Sequence, residues 1–222
     1  YLRLVGYGLV DTYDGSIQLI KHGDDFFSDM FMSQYKHNVI EMPEWLEEQI
    51  RYPQELFNWR TEMYNIYHVT DVDIFIQANE FYEIPRGLDT YYIQAKPPGF
   101  EEPEFIGLLS LELRGSQGRN LAGYMVVEND KPNLGHMQFY EVPIESDIKL
   151  LGPTSVREAL DRDPDFAQLK TLLRNPRIGD NILYQVGEHD TYFIPVYTAG
   201  AGGVVAQLST IAAVGAAFTG EY

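Results

Sequence analysis

His68 and Asp71 stand three residues apart, a spacing that brings an imidazole and a carboxylate within reach of one proton or one metal ion. A zinc site needs three or four such ligands, and the chain offers neither H-E-x-x-H nor a second clustered histidine. A His–Asp hydrogen bond, or Asp71 as a helix cap, is the simpler expectation. Arg51 lies just ahead of the same helical segment, and a buried Arg51–Asp71 pair there would hold the fold rather than catalyse. Arg51, His68 and Asp71 are therefore the candidate binding residues. Residue types and spacing imply no catalytic group, metal or cofactor. The enzyme question stays open and leans towards no.

The remaining polar clusters have plainer explanations. Asp161, Asp163 and Asp165 resemble the opening of a calcium loop, but Phe166 stands where glycine is needed and Leu172 where glutamate is needed. Asp163 ahead of Pro164 reads better as a helix N-cap. Glu101, Glu102 and Glu104 around Pro103 suit a solvated acidic loop, and His189 with Asp190 suits a turn. The stretch from Arg114 to Arg119 carries two glycines without the spacing, or the Lys-Ser/Thr ending, of a phosphate cradle. It reads as a polar turn.

Composition narrows the partners. The 222 residues carry 33 Asp plus Glu against 16 Lys plus Arg, a net charge of −17. Such a surface repels a phosphate backbone or an anionic bilayer, so nucleic acid is excluded as a partner. The absence of cysteine removes disulfides and thiolate metal sites. The first residues carry no initiator Met and no signal peptide, as in a piece of a longer chain.

Elements must position these residues. Leu2–Leu19 reads as two strands joined by a tight turn at Asp14-Gly15, with Ile17–Ile20 returning, and a less regular segment runs from Asp24 to near Met42. Pro43 is expected to open a helix, and Pro53 to stop it and open a second one over Gln54–Tyr67. In that helix Leu56, Trp59, Met63 and Ile66 recur at helical spacing and are predicted to face the core. A short helix is expected over Asp71–Asn79. Strands are expected over Thr90–Gln94, Phe105–Leu113, Leu121–Val127, Gly135–Val142, Asn181–Val186 and Tyr192–Tyr197. Ser155 and Glu158 form an S-x-x-E capping box for a helix to Arg162, and Asp163-Pro164 restarts one to Arg174. Gly200–Phe218, small and apolar but broken by glycine, is predicted to be a buried strand or short helix rather than a membrane span. The whole predicts an α+β fold with a mainly antiparallel sheet and interspersed helices, forming one soluble domain over 1–222 or part of a larger one.

Taken in order, Tyr1-Leu-Arg3, Val10–Ser16, Met42-Pro43, Ile50-Arg-Tyr-Pro-Gln-Glu-Leu-Phe57, Tyr67-His-Val-Thr-Asp71, Asn120-Leu121, Gly152-Pro153 and Pro195-Val-Tyr197 make a pattern. It resembles uncharacterised protein family 0182, large polytopic membrane proteins of bacteria and archaea. Ser155-Val156 and Ile194 depart from the family pattern, as does the lack of a Trp near Tyr82. The resemblance implies the later part of a soluble region facing outside the cytoplasm, following a membrane bundle. It implies no catalytic residues. The partners expected on this basis are the protein's own or a partner's membrane-embedded region, with homo-oligomerisation a further option. The leading expectation is a non-catalytic binding, assembly or envelope-organising module. The alternatives are an extracytoplasmic hydrolase, acid–base or metal-assisted, using His68, Asp71 and scattered carboxylates, or an accessory domain of a transporter.

Overall fold

The computed structural model describes residues 2–78, 80–114, 119–142, 149–174, 176–187, 189–199 and 206–217. At the N-terminus, β1 (Gly6–Val10) and β2 (Ile17–Lys21) pair antiparallel, with Val10 opposite Ile17. Their connection is a six-residue loop, 11–16, wider than the tight turn that Asp14-Gly15 predicts. Asp11 accepts from the Tyr13 backbone N–H at 2.7 Å and Asp14 from that of Ser16 at 2.8 Å, so both carboxylates hold the loop while Gly15 takes φ +75°.

The segment read as irregular contains a helix, α1 (Phe26–Ser33), whose N-cap Asp25 accepts from Phe27 N and Ser28 N. It leads to β3 (Val39–Ile40), which pairs parallel with β2. The short α2 (Glu44–Glu47) follows with Pro43 as its N-cap rather than its first residue, and the longer α3 (Gln54–Tyr67) spans the predicted range with Pro53 as its N-cap. Asp71 caps α4 (Val72–Gln77).

β4 (Tyr82–Glu83), β5 (Tyr91–Ala95), β6 (Glu104–Leu113), β7 (Leu121–Glu128) and β8 (Met137–Glu141) form the central antiparallel sheet. Strand β6 is buried along its length because both of its faces are covered. Leu109, Leu111 and Leu113, with Ala122, Met125 and Val127 of β7, pack on Tyr52 and Phe57 from the α3 side. Ile106, Leu108 and Val126 face the other way.

That second face meets the C-terminal elements: α5 (Pro153–Arg162), α6 (Pro164–Leu172), β9 (Arg177–Ile178), β10 (Ile182–Val186), β11 (His189–Ala199) and β12 (Ala206–Gly215). Val156, Leu160, Phe166, Leu183, Tyr192, Ile194 and Val196 close a second core there with Leu121. The β10–β11 pair is an antiparallel hairpin in which His189 and Asp190 open β11 rather than sit in the turn. Every pairing but β2–β3 is antiparallel among the described residues, which makes the fold α+β.

Three expectations are corrected. The α3 face is rotated: Phe57, Thr61 and Asn65 are buried, while Trp59 and Met63 are exposed. The Ser155–Glu158 capping box does not form. α5 begins three residues earlier, at Gly152-Pro153, and its first-turn donors are met by Glu112 of β6, which accepts from Thr154 N at 2.7 Å and Thr154 Oγ1 at 3.0 Å. Glu158 instead pairs with Arg119 at 2.8 Å, and Ser155 Oγ donates to the Arg119 carbonyl at 2.8 Å. Finally, β12 is a strand, but an edge strand exposed at most positions rather than a buried one. Residues 200–205 and 218 of the same apolar stretch lie outside the described residues, as do 115–118 of the polar turn and Asn79 at the predicted helix end.

Candidate functional site

The Ile50–Phe57 segment buries Ile50, Tyr52 and Phe57 and leaves Arg51 and Glu55 outside. Tyr52 is fixed on every side. Its N–H donates to Asn129 Oδ1 at 2.7 Å, and its carbonyl accepts from Tyr92 Oη at 3.0 Å. Its hydroxyl accepts from Arg60 at 3.1 Å. Gly135 makes room for the ring: a Cβ there would stand 2.6 Å from it, and φ is +84°. With Tyr52 anchored, Arg51 is carried over the face of Tyr92, its guanidinium carbon 4.9 Å from the ring centroid.

Arg51 lines a cleft of about 400 Å³ with Gln49, Gln54, Glu55 and Tyr7. A second cleft, about 460 Å³, shares Tyr7 and Ile50 and is edged by Lys21, His22, Asp24 and Lys131. The Tyr7 hydroxyl between them is buried and finds no hydrogen-bond partner among the described residues, and burial, with a contribution from Tyr52, pushes its pKa up to about 12. Burial, then the charge on Lys131, lowers the His22 pKa.

His68 and Asp71 serve the ends of two helices. The His68 backbone N–H donates to the Tyr64 carbonyl at 3.0 Å as α3 ends. Its Nδ1 lies 2.8 Å from the same oxygen, and since a carbonyl only accepts, Nδ1 carries the proton. The imidazole stacks on Tyr82 at 4.1 Å and on Tyr64 at 5.2 Å, and Tyr82 donates to Glu141 at 3.1 Å. Asp71 accepts from Asp73 N at 2.9 Å and Ile74 N at 3.1 Å, capping α4. Arg51 lies at the opposite end of α3, whose 14 residues span about 21 Å. The structure therefore does not bring the three candidate residues together. Among the described residues no group of three His, Asp or Glu side chains is placed to hold a metal ion.

Helical periodicity alone missed an exposed apolar stripe on α3. Trp59, Met63 and Tyr67 run along the outer face of α3 and are 53 to 64 % exposed. Tyr67 stacks on Phe75, with centroids 6.3 Å apart, and so joins Val72 and Ile76 of α4 to the stripe. At roughly 100 Å² each, the six side chains expose about 600 Å² of mostly apolar surface, the upper range for an ordinary monomer. α1 also exposes Phe26, Phe27 and Met30.

These features define an α+β module with anchored aromatic clefts and a broad apolar helix face, and none of the described helices is long and apolar enough to cross a membrane. The chain belongs to the Uncharacterised protein family (UPF0182), whose model matches residues 8–173. Similar relatives include UPF0182 proteins of Methanospirillum hungatei, 30 % identical over 95 % of this chain, and of Sulfurovum sp., 28 % identical over 91 % of it. One from Salinibacter ruber is 27 % identical over 89 %. The chain spans about a quarter of the length of these relatives, at 25, 23 and 22 %. No solved structure matches it.

Proposed function

We propose that this chain is a non-catalytic assembly module in the extracytoplasmic region of a membrane protein, docking through the α3–α4 stripe onto the remainder of its own polypeptide. The observation that carries the reading is the stripe itself. Trp59, Met63 and Tyr67 of α3 and Val72 and Ile76 of α4 are exposed apolar side chains on two helices that meet where Tyr67 stacks on Phe75. The relatives are about four times as long as the aligned region, so a covalently linked partner is at hand at high effective concentration. The net charge of −17 favours a neutral or basic occupant and disfavours an anionic lipid face.

Hydrogen exchange on the full-length protein and on the isolated module tests the docking. Amides of α3 and α4 are expected to be slower in the full-length protein, and Trp59→Ser with Met63→Ser is expected to restore the isolated module's rates. Equal exchange in the two wild-type proteins would overturn it. This chain carries no cysteine, so once any cysteines elsewhere in the full-length protein are replaced, an introduced one reports the topology. A membrane-impermeant maleimide should label full-length Lys36→Cys in intact cells, and labelling only after lysis would refute the extracytoplasmic placement.

A further inference from the structure

Between the β10–β11 hairpin and the strands β5, β6 and β7 lies a pocket of about 180 Å³, walled by Ile93, Ile106, Leu108 and Leu183 and carrying Asp190 and Tyr124. It stands apart from both the Arg51 cleft and the α3–α4 stripe. Asp190 is half-buried, and no donor among the described residues reaches its carboxylate; its backbone carbonyl accepts from Ala216 N at 2.9 Å. Three tyrosines lie within its electrostatic reach, Tyr91, Tyr124 and Tyr192. Two of the three phenols donate elsewhere, Tyr91 to the Leu183 carbonyl at 2.8 Å and Tyr192 to the Leu151 carbonyl at 3.1 Å. Lys96 lines the same pocket but makes no ion pair with Asp190 among the described residues.

A carboxylate drawn out of water without a partner opposes folding, and a lone half-buried carboxylate among the aliphatic walls Ile93, Ile106, Leu108 and Leu183 is suited to a cation that also has an apolar body. A hard metal ion demands six or more oxygens, which a single carboxylate between aliphatic walls does not supply. We infer that this pocket binds a small organic ammonium, whose N–H groups donate to Asp190 and whose apolar body lies against Ile106, Leu108 and Leu183. The volume is close to that of cavities which take up a single benzene ring, about 150 Å³, so a ring-sized or short-chain amine is the class that fits.

The experiment is calorimetric titration of the intact chain with benzylamine, butylamine and choline, with benzyl alcohol as the neutral control. Saturable binding of at least one amine is expected. Asp190→Asn is expected to weaken it tenfold or more, and benzyl alcohol to bind weakly to both proteins. On the unmodified chain, affinity should fall at acid pH as Asp190 takes up its proton; the other ionisable side chains facing it or edging the pocket are Lys96, Tyr184 and the phenols of Tyr91, Tyr124 and Tyr192, which burial raises further from that range. No saturable binding of any of the three amines, equal binding to wild type and Asp190→Asn, or equal binding of benzyl alcohol would each overturn the proposal. The pH series on the unmodified chain decides it even if the variant folds poorly.

Discussion

Replacing Gly152 by alanine tests how the N-terminus of α5 is held. A Cβ at this position would stand 2.6 Å from Glu112 Cγ, 2.6 Å from Glu112 Oε1 and 2.6 Å from the Arg119 carbonyl oxygen. Glu112 is 2 % exposed and cannot swing out to water, and the Arg119 oxygen is backbone, held by Gly152 N at 3.0 Å. The methyl group therefore displaces the carboxylate from both of its Thr154 contacts. Hydrogen bonds to a charged group contribute about 1.5–3 kcal/mol each, so losing two costs about 3–6 kcal/mol. For a chain of this size that is a fall in Tm of roughly 6–24 °C.

Glu112→Gln provides the contrast. Its amide oxygen still accepts from Thr154 N, and the neutral form suits a site where burial raises the Glu112 pKa against the opposing hydrogen bonds from Thr154. Its cost is expected to be about 1 kcal/mol. In a Glu112→Ala background the Gly152→Ala cost should fall by half or more, because only the Arg119 oxygen still obstructs the methyl group. Thermal unfolding followed by circular dichroism on the four proteins completes the cycle. A Gly152→Ala loss below about 1 kcal/mol, or strict additivity with Glu112→Ala, would refute the reasoning.

Two further predictions concern buried polar groups. Asn129→Ala removes the acceptor of the buried Tyr52 N–H and the donor to the Phe105 carbonyl, and should lower stability by about 2–4 kcal/mol in urea unfolding. Asp190 and Glu112 both have pKa values raised by burial above 3.8 and 4.5, their ordinary values. Between the ordinary and raised values the native state holds more protons than the unfolded chain, so each group lowers stability as pH rises through that window. Asp190→Asn should therefore be more stable than wild type at pH 7, a gain that shrinks to nothing as pH falls below 3.8 when urea midpoints are compared.

What the sequence revealed depended on how local each cause was. The caps at Asp71 and Asp163 were legible because donor and acceptor lie within three residues. The α5 cap was not, since its carboxylate comes from Glu112, 42 residues away from Thr154. The face of α3 was misread for a physical reason. Periodicity seeks apolar residues, whereas this helix buries Thr61 and Asn65 and sends Trp59 and Met63 outward. The α1 helix was hidden because Phe26, Phe27 and Met30 form an exposed run without an inward apolar stripe. Arg51, His68 and Asp71 were drawn together by their nearness in sequence, which a helix of 14 residues undoes for Arg51. The Asp190 pocket is assembled from strands about 80 residues apart, and only pairing the sheets in space brings Ile106 opposite Leu183.

The double-faced β6–β7 pair also determines where the molecule can be cut. The family match ends at residue 173, after α6 and before β9. A piece ending there would keep the matched segment yet lose Leu183, Tyr192, Ile194 and Val196, the cover over Leu121. The hydroxyl of Tyr91, which both donates to Leu183 and accepts from it, would lose both partners at once. The inheritable, expressible unit thus runs at least through β12. Boundaries for any excised version are set by the sheet, some forty residues beyond the end of the family model's match.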